Sequence, residues 1–324
     1  MNRVVYYILR LLGLATLSRW LKRNTLTLVL YHGVAPHKTQ GLYNYRRMFI
    51  APDAFDEQLG YLKKHYTVLP LEEAFERLHA HTLPPHALAI TFDDGYRNNF
   101  THAYPILKKH GLTATFFLAT NFVFNKEPVW LDRLKYAIGS LPLPFDARVQ
   151  RYGIARAELK KLPESGKYER LKAIESDAGV RFADFADDRA VYAPLEKSDI
   201  EEMRAGGMTF GAHTESHPIL SKVPPDQLKR EIVNSKEIVS RECGDVSELF
   251  CYPNGQAEDF NDAVVDVVRD AGFGGAVTTL EGTNDADSDP YKLRRITMDG
   301  IEDAATFAVA VSGLRGFLRG IFGV

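Results

Sequence analysis

Short apolar runs alternate with helical patterns along most of the chain. Continuous apolar runs of this length are typical of buried strands, and they occur at residues 26–31, 66–69, 87–92, 114–119, 208–212, 249–252 and 275–278. Apolar residues at helical spacing predict helices at 55–65, 71–80, 103–110, 198–204, 226–243 and 263–271. Strands that alternate with helices indicate βα units around a parallel sheet. The number of units favours an α/β barrel over an open sheet.

Residues from about 125 to 197 interrupt this alternation. They carry charged helical stretches such as ARAELKKL and KYERLKAIES, with prolines between them and no strand pattern. We therefore expect a helical insertion that lies over the barrel as a lid or a substrate-binding cap. Ser198 followed by Glu201 predicts a capping box at the start of the next helix.

Both ends of the chain are apolar and basic. In the N-terminal stretch MNRVVYYILRLLGLATLSRWLKR, Arg10 interrupts the apolar run and no clear cleavage site follows, which favours an amphipathic helix over a signal peptide or a spanning helix. The C-terminal stretch places Arg315 and Arg319 four residues apart among apolar residues. Either these helices contact a membrane surface or they pack on the barrel. The expected organisation is an N-terminal helix at 1–24, a barrel at 25–300 and a C-terminal helix at 301–324.

Composition and charge narrow the class of protein. The 324 residues are 45% hydrophobic and 25% charged, which is ample for a globular core, and the net charge of −2 gives no reason to expect a nucleic-acid partner. Cys243 and Cys251 are the two cysteines. Without a C-x-x-C pair, a thiolate zinc site and a disulfide framework are both excluded, and free thiols are expected.

Polar residues follow several predicted strands directly. Chemistry in a barrel of parallel strands lies at the carboxyl ends of the strands, and the polar residues found there are His32, Asp93, Asp94, His213, His217, Asn254 and Gly255. The Asp-Asp-Gly sequence is also compatible with an ordinary polar turn. Its convergence with the other polar positions favours a functional site.

The stretch GAHTESHP contains His213 and His217, four residues apart. If this segment turns helically, both imidazoles face the same side. Two imidazoles and the Asp94 carboxylate form a ligand set typical of catalytic zinc. A pattern with two fixed positions also arises by chance, but its place after a strand, together with the aspartate pair, favours a metal site.

Two motifs, TFDDG at 91–95 and HTESH at 213–217, resemble those of the polysaccharide deacetylase family, the NodB-homology group of carbohydrate esterase family 4. The resemblance covers about Leu26 to Ile296, apart from the insertion. It implies a distorted (β/α)7-type barrel with a helical insertion. It also implies removal of acetyl groups from N-acetylated sugars with a divalent metal, Zn²⁺ in the first place and Co²⁺, Ni²⁺ or Fe²⁺ as alternatives.

The resemblance assigns roles by position. Asp93 matches the general base, and Asp94 with the two histidines of HTESH matches the metal ligands. A cation on Asp94 would let Asp93 stay ionised beside it and take a proton from the attacking water. The family's third motif matches CYPNG, which implies substrate or oxyanion contacts from Tyr252, Pro253, Asn254 and Gly255. The backbone N–H of Asn254 is the expected donor.

The sequence departs from the family pattern at two positions. Cys251 replaces the arginine that braces the base, and Arg295 is the candidate substitute, although an arginine here suits a barrel-closing ion pair equally well. The chain has no histidine after Gln256, so the late histidine that protonates the leaving amine is missing. Some family members carry this motif at the front of the barrel, which indicates His32 as the acid because the first and last strands of a closed barrel are neighbours. The alternative is that His32 bonds a loop carbonyl.

The expected function is metal-dependent deacetylation of a sugar in a bacterial surface glycan or its lipid-linked precursor. The basic amphipathic ends favour the cytoplasm, with peripheral contact to the inner membrane. A related C–N hydrolase of a small non-sugar amide is the first alternative, and a glycan-binding barrel without activity is the second. The complete set of base and metal ligands argues against the binder. Tyr96 and Trp130 are weaker candidates for contact with the sugar, since most such aromatics are packing residues.

Overall fold

A parallel sheet forms the centre of the protein, whose computed structural model describes residues 3–36, 42, 44, 48–180, 192–244 and 246–322. The strands are β1 (Thr27–Tyr31), β2 (Gly33–Val34), β3 (Phe49–Ile50), β4 (Thr67–Val68), β5 (Ala87–Phe92), β6 (Thr115–Leu118), β7 (Thr209–Ala212), β8 (Val246–Cys251), β9 (Gly275–Val277) and β10 (Ile296–Thr297). The main sheet has the order β10–β1–β5–β6–β7–β8–β9, with β4 beside the first part of β5. β2 and β3 form a separate parallel pair.

Helices surround this sheet and cover its ends. They are α1 (Arg3–Leu11), α2 (Leu14–Leu21), α3 (Pro52–His65), α4 (Leu71–His79), α5 (Tyr104–His110), α6 (Thr120–Asn125), α7 (Trp130–Gly139), α8 (Phe145–Leu159), α9 (Glu164–Asp177), α10 (Lys197–Ala205), α11 (Pro225–Cys243), α12 (Asp262–Asp270), α13 (Ala304–Val311) and α14 (Leu314–Phe322). A π-helical turn, Asn99–Ala103, precedes α5, which ends at Gly111 in the left-handed conformation that favours glycine.

The two edges of the main sheet are joined by one short segment. β10 pairs in parallel with β1, and Leu293, just before β10, forms a parallel bridge with Val277 of β9. Residues 293–297 therefore contact both the last strand and the first. The α/β barrel class expected from the sequence is confirmed as a parallel sheet curled into a half-barrel with flanking helices.

Aromatic side chains fill one side of the curled sheet. Phe92, Phe116 and Phe210 lie in register on three neighbouring strands. The first two rings stack with centroids 4.8 Å apart, and all three side chains are fully buried. Each contributes roughly 1.5–3 kcal/mol to stability through its burial. This packing explains why the strands appear in the sequence as continuous apolar runs rather than alternating ones.

The sequence locates the longer elements well and misses three of the shortest strands. Each predicted strand and helix is present, with its ends displaced by up to three residues. The two-residue strands β2, β3 and β10 are not predicted, whereas β4, which is equally short, is predicted from the run at 66–69. The capping box predicted from Ser198 and Glu201 is wrong. Helix α10 begins one residue earlier, so Glu196 is its N-cap and Asp199 accepts the Glu196 N–H at 3.0 Å.

Three helices, α7, α8 and α9, pack together where the insertion is expected. Trp130 is fully buried in the core of this insertion, with Lys167 Nζ 4.9 Å from its ring centroid. The suggestion that Trp130 stacks on a sugar is therefore wrong, because the ring is occupied by packing. Residues 181–191 of the expected insertion lie outside the described residues.

Each end of the chain forms two helices instead of the single helix expected. Gly13 (φ 71°) separates α1 from α2, and Gly313 (φ 72°) separates α13 from α14. Glycine tolerates this left-handed conformation, which ends a helix. α13 is almost entirely buried, and Tyr6 of α1 packs against it. Within the described residues, no single helix is long and apolar enough to cross a membrane. Helices α1 and α2 have the necessary length and composition only when they are taken together, and they are bent by 71° relative to each other.

Candidate active site

The candidate site lies at the carboxyl edge of the curled sheet. The polar residues that follow the strands there are His32 after β1, Asp93 and Asp94 after β5, His213 after β7, Asn254 after β8 and Asp299 after β10. They line one cavity of about 270 Å³. Parallel strands bring their carboxyl ends to the same edge of a sheet, which explains how residues far apart in the sequence meet here.

The turn after β5 holds the two aspartates close to the sheet. Asp94 has φ 75° and Gly95 has φ 92°, so two successive residues adopt left-handed conformations. A Cβ on Gly95 would lie 2.6 Å from Val123, which explains why glycine is needed there. This tight turn directs the two neighbouring carboxylates toward different partners.

Asp94 lies beside two imidazoles. Its Oδ1 is 3.5 Å from His213 Nε2 and 3.4 Å from His217 Nε2, and the potential ligand atoms of the three residues lie within 4.8 Å of one another. All three residues are buried, and Asp94 Oδ1 has no hydrogen-bond partner within the described residues. A buried oxygen without a partner, facing two ring nitrogens, fits a divalent cation with a position left for water.

The HTESH segment brings its histidines together without a helical turn. Thr214 (φ 67°) and His217 (φ 56°) both adopt left-handed conformations. The backbone N–H of His217 donates to Thr214 Oγ1 at 3.1 Å, and Glu231 of α11 accepts the N–H groups of Glu215 and Ser216, each at 2.9 Å. Side chains thus hold the bend that the expected helical turn would have supplied through the backbone.

The ring of His213 is fixed by a hydrogen bond to the backbone. Its Nδ1 lies 2.8 Å from the carbonyl oxygen of Cys251. A carbonyl only accepts, so Nδ1 carries a proton, and in the neutral imidazole Nε2 is then the free electron pair that faces Asp94. This is the tautomer that a metal ligand needs.

A second group of potential ligands shares His213 with Asp93 and Cys251. Asp93 is already engaged by an arginine, and burial raises the pKa of the Cys251 thiol. A thiol must lose its proton to bind a metal. This group is therefore less suited to a metal than the group that contains Asp94. Both cysteines are free, as expected.

Asp93 forms a bidentate ion pair with Arg295. The two guanidinium nitrogens donate to the two carboxylate oxygens at 2.8 and 2.7 Å, and both residues are buried. Arg295 also donates to the carbonyl oxygen of Thr278 at 2.8 Å and contacts Cys251 Sγ at 3.2 Å. Burial alone would raise the pKa of Asp93, but Arg295 outweighs it and holds the pKa below its ordinary value. Arg295 therefore holds Asp93 ionised and in place.

His32 pairs with a carboxylate rather than with a loop carbonyl. Its Nδ1 lies 3.0 Å from an oxygen of Asp299. Burial lowers the pKa of His32, but Asp299 and, more weakly, Asp94 and Asp93 outweigh it and raise this pKa to about 9. The imidazole is therefore protonated at neutral pH and has a proton to donate. The sequence analysis did not identify Asp299. Its only signal was its place in MDG, directly after a short apolar stretch.

The CYPNG segment contributes one of its predicted residues to the cavity. Asn254 (φ 59°) lines the cavity, and its backbone N–H has no acceptor within the described residues. Gly255 (φ 66°) permits the turn, since a Cβ there would lie 2.8 Å from the backbone N of Thr279. Tyr252 and Pro253 do not line the cavity. Tyr252 instead stacks on Phe260 with centroids 4.3 Å apart.

The insertion forms the opposite wall of the cavity. Tyr96, in the turn after the aspartates, donates through its hydroxyl to Asp132 of α7 at 2.7 Å, and Lys135 pairs with Asp132 at 3.0 Å. Tyr96, Asp132 and Lys135 are all buried and line the cavity. The insertion is thus tied directly to the turn that carries Asp93 and Asp94. Sequence reasoning did not identify Asp132 or Lys135, because charged residues on a helix are ordinarily solvated.

Comparison with known proteins supports the same family as the motifs. The family model described as polysaccharide deacetylase matches residues 80–276. YxkH of Bacillus subtilis (strain 168), a protein named as a polysaccharide deacetylase, is 20% identical over 303 residues, which cover 92% of this chain and 81% of YxkH. This chain thus resembles YxkH over most of the length of both proteins.

Two solved structures share the fold. The deacetylase PplD of Streptococcus pyogenes, in complex with acetate, has a TM-score of 0.59 and 21% identity over 90% of this chain and 97% of its own. IcaB from Ammonifex degensii has a TM-score of 0.59 and 18% identity over 89% of this chain and 97% of its own. The likeness extends over nearly the whole length of both solved chains.

The geometry predicts which side chains hold a metal. We expect the purified protein to bind about one divalent metal per chain, and Asp94→Asn, His213→Ala and His217→Ala each to lose most of it, because each removes one of three ligand atoms. Metal content is measured by mass spectrometry after dialysis against zinc. Asp93→Asn and Cys251→Ser are the controls and should retain the metal. If these controls lose the metal and Asp94→Asn retains it, the metal belongs to the group formed by Asp93, His213 and Cys251.

The buried ion pair predicts a large effect on stability. Arg295→Gln leaves the Asp93 carboxylate buried without its partner, and we expect the free energy of unfolding to fall by about 3–5 kcal/mol. Urea denaturation followed by circular dichroism measures this change. Arg294→Gln is the matched control, because the neighbouring Arg294 is exposed and should change stability by less than about 0.5 kcal/mol. Equal stability of the two variants would contradict a structural role for the pair.

Proposed function

Because the chain belongs to the polysaccharide deacetylase family and is a hydrolase of that family, we propose that it removes N-acetyl groups from a sugar of a bacterial surface glycan or its lipid-linked precursor. Asp94, His213 and His217 hold a divalent metal in this proposal, with zinc as the first choice. The observation that carries it is the cluster of three buried ligand atoms within 4.8 Å, next to a separate ionised carboxylate on Asp93.

Asp93 is the general base of the proposed reaction. A bound divalent metal lowers the pKa of a water molecule and polarises the amide carbonyl. The ion pair with Arg295 keeps Asp93 ionised and fixes its orientation, so that it can accept a proton from the attacking water. In this proposal Arg295 takes the role of the arginine that the family carries in its third motif, where this chain has Cys251.

Asn254 and His32 complete the reaction. The free backbone N–H of Asn254 points to a role in stabilising the negative charge that develops on the carbonyl oxygen. His32, protonated through its contact with Asp299, gives a proton to the leaving amine. The proposed base and acid thus come from the ends of two neighbouring strands, β5 and β1.

The size of the cavity keeps the small-amide hydrolase as a second candidate. At about 270 Å³ the cavity is slightly smaller than the range of about 300–1,000 Å³ usual for ligand pockets, and the insertion covers one side of it. A small non-sugar amide would fit such a space, as would one sugar unit of a longer chain. The glycan-binding alternative is disfavoured, because a binder has no use for an ionised base beside a metal site.

Acetate release from short N-acetylglucosamine oligomers tests the proposal. We expect turnover by the zinc-loaded wild type, and a loss of about 100-fold or more in kcat for Asp93→Asn and His32→Ala, since general acid–base groups contribute about 10²–10⁴-fold. Both variants should keep their metal. Metal-loaded wild type that releases acetate from small amides only would favour the second candidate. Release of acetate from neither substrate would contradict the proposal.

The pH profile tests the pairing of His32 with Asp299. An acid must be protonated, so kcat/KM should fall as the pH rises through the pKa of His32, near pH 9 in the wild type. Asp299→Asn removes the carboxylate that raises this pKa, and the fall should move by about one pH unit or more toward the ordinary histidine value of about 6.5. Asp266→Asn, at an exposed position on α12, is the control. An unchanged alkaline limb in Asp299→Asn would exclude this role for His32.

The helices at the chain ends also support a proposal of peripheral membrane contact. Large apolar side chains on α1, α2, α14 and the turn between α1 and α2 are exposed to solvent, and they are Val4, Val5, Tyr7, Ile8, Leu11, Leu12, Leu17, Trp20, Leu21 and Phe317. Residues 1–24 carry five basic residues and no acidic one. A basic and apolar surface suits anionic lipid headgroups, and the cytoplasmic leaflet is the anionic one. We propose that this surface docks on the cytoplasmic face of the inner membrane.

Sedimentation with vesicles that contain phosphatidylglycerol tests the membrane contact. The wild type should sediment with the vesicles, and Leu12→Glu combined with Trp20→Glu should weaken binding by about tenfold or more, because each side chain buries apolar area worth more than about 1 kcal/mol. Ile154→Glu is the control, since Ile154 is 64% exposed but lies on the insertion. Wild type that stays in the supernatant would exclude membrane contact, and equal binding by both variants would exclude this surface.

A further inference from the structure

The insertion presents one face of a helix to the catalytic cavity. Tyr152 and Arg156 of α8 and Lys160, just after this helix, are four residues apart and all line the cavity. A spacing of four places side chains on the same face of a helix. Lys135 of α7 lines the same wall. The wall opposite the metal cluster therefore carries three basic side chains.

All but one of the aspartate, histidine, lysine and arginine side chains that line this cavity have an ionisable partner within 4.0 Å among the described residues. The pairs are Lys135 with Asp132 at 3.0 Å, Lys160 with Asp259 at 2.9 Å, His32 with Asp299 at 3.0 Å, Asp93 with Arg295 at 2.7 Å and Asp94 with both site histidines. Arg156 is the exception. Over residues 3–36, 42, 44, 48–180, 192–244 and 246–322, its side chain makes no ion pair or hydrogen bond.

An unpaired guanidinium in a cavity wall has a defined chemistry. Arg156 is half-buried, so its charge is only partly solvated. Its planar fork of donors matches the oxygens of a phosphate or a carboxylate and can form two parallel charged hydrogen bonds. Neutral sugar hydroxyls do not need such a group, because the paired polar residues of the cavity can bind them.

We infer that Arg156 binds an anionic group, a phosphate or a carboxylate, that the substrate carries next to its N-acetylated sugar. This inference rests on the proposed function and adds a specificity to it. A phosphate would come from a sugar phosphate, as in a lipid-linked precursor, and a carboxylate from a uronic acid next in the glycan. Both chemistries offer the paired anionic oxygens that the guanidinium fork recognises.

Substrate discrimination by the zinc-loaded protein tests the inference. The substrates are N-acetylglucosamine tetramer, N-acetylglucosamine 1-phosphate, and a disaccharide of N-acetylglucosamine and glucuronic acid. We expect the wild type to favour one of the two anionic substrates, and the favoured one identifies the source. Arg156→Ala should reduce the ratio of anionic to neutral kcat/KM by about tenfold to a hundredfold, mainly through KM, as expected for loss of a charged hydrogen bond.

Two further variants separate charge recognition from structure. Arg156→Lys keeps the charge but not the fork, and it should retain part of the preference. Arg151→Ala removes an exposed arginine of the same helix that lies outside the cavity, and the ratio should not change. A ratio that falls equally in Arg151→Ala and Arg156→Ala would reflect general surface charge and would overturn the inference.

Direct binding keeps the inference testable apart from catalysis. Calorimetry measures the binding affinities of the wild type and of Arg156→Ala for three ligands. The neutral reference is glucosamine, and the two anionic ligands are glucosamine 1-phosphate and the disaccharide of glucosamine and glucuronic acid. The inference is supported if the wild type binds one anionic ligand more tightly than the neutral one and Arg156→Ala does not. This holds even if no substrate releases acetate, because the absence of acetate release would overturn only the proposed function. Equal binding of neutral and anionic ligands by the wild type overturns the inference and leaves deacetylation intact.

Discussion

Two ionised carboxylates follow each other in a buried turn, and the rest of the site is arranged to separate their charges. Asp93 and Asp94 are 2% and 5% exposed, so water screens their repulsion little. Arg295 stabilises Asp93 on one side, while the imidazoles of His213 and His217 face Asp94 on the other. Asp93 thus has a guanidinium as its partner and Asp94 has two ring nitrogens, so each carboxylate can take a different role.

This separation makes the site depend on closure of the barrel. Arg295 belongs to the segment 293–297, which bridges β9 and pairs with β1. Its guanidinium donates to Thr278, after the edge strand β9, and to Asp93, after the inner strand β5. Asp93 therefore acquires its partner only when the last strand is in place. A buried pair adds little net stability, but removing one of its members is costly, so the pair selects the closed arrangement.

The sequence predicted the parts of the site that lie directly after long strands. Asp93, Asp94 and His213 could be placed because continuous apolar runs mark the ends of β5 and β7, and parallel strands bring those ends together. Asp299 could not be placed in this way, because β10 has only two residues and its partner His32 is 267 residues away. The bend at Thr214 was also out of reach, since nothing in the composition of HTESH signals a left-handed threonine.

The pairing of β1 with β10 gives a physical reason for the proposed acid, His32, to lie at the front of the chain. Val29 pairs with Ile296 and Leu30 with Thr297. If this register is continued for two more residues, His32 lies opposite Asp299. The distance of 3.0 Å between His32 Nδ1 and an Asp299 oxygen agrees with this placement. The proposed acid, which the family resemblance would place late in the chain, can therefore follow the first strand and remain at the same edge of the sheet. The segment after the last strand then supplies Asp299, the carboxylate that raises the pKa of this histidine.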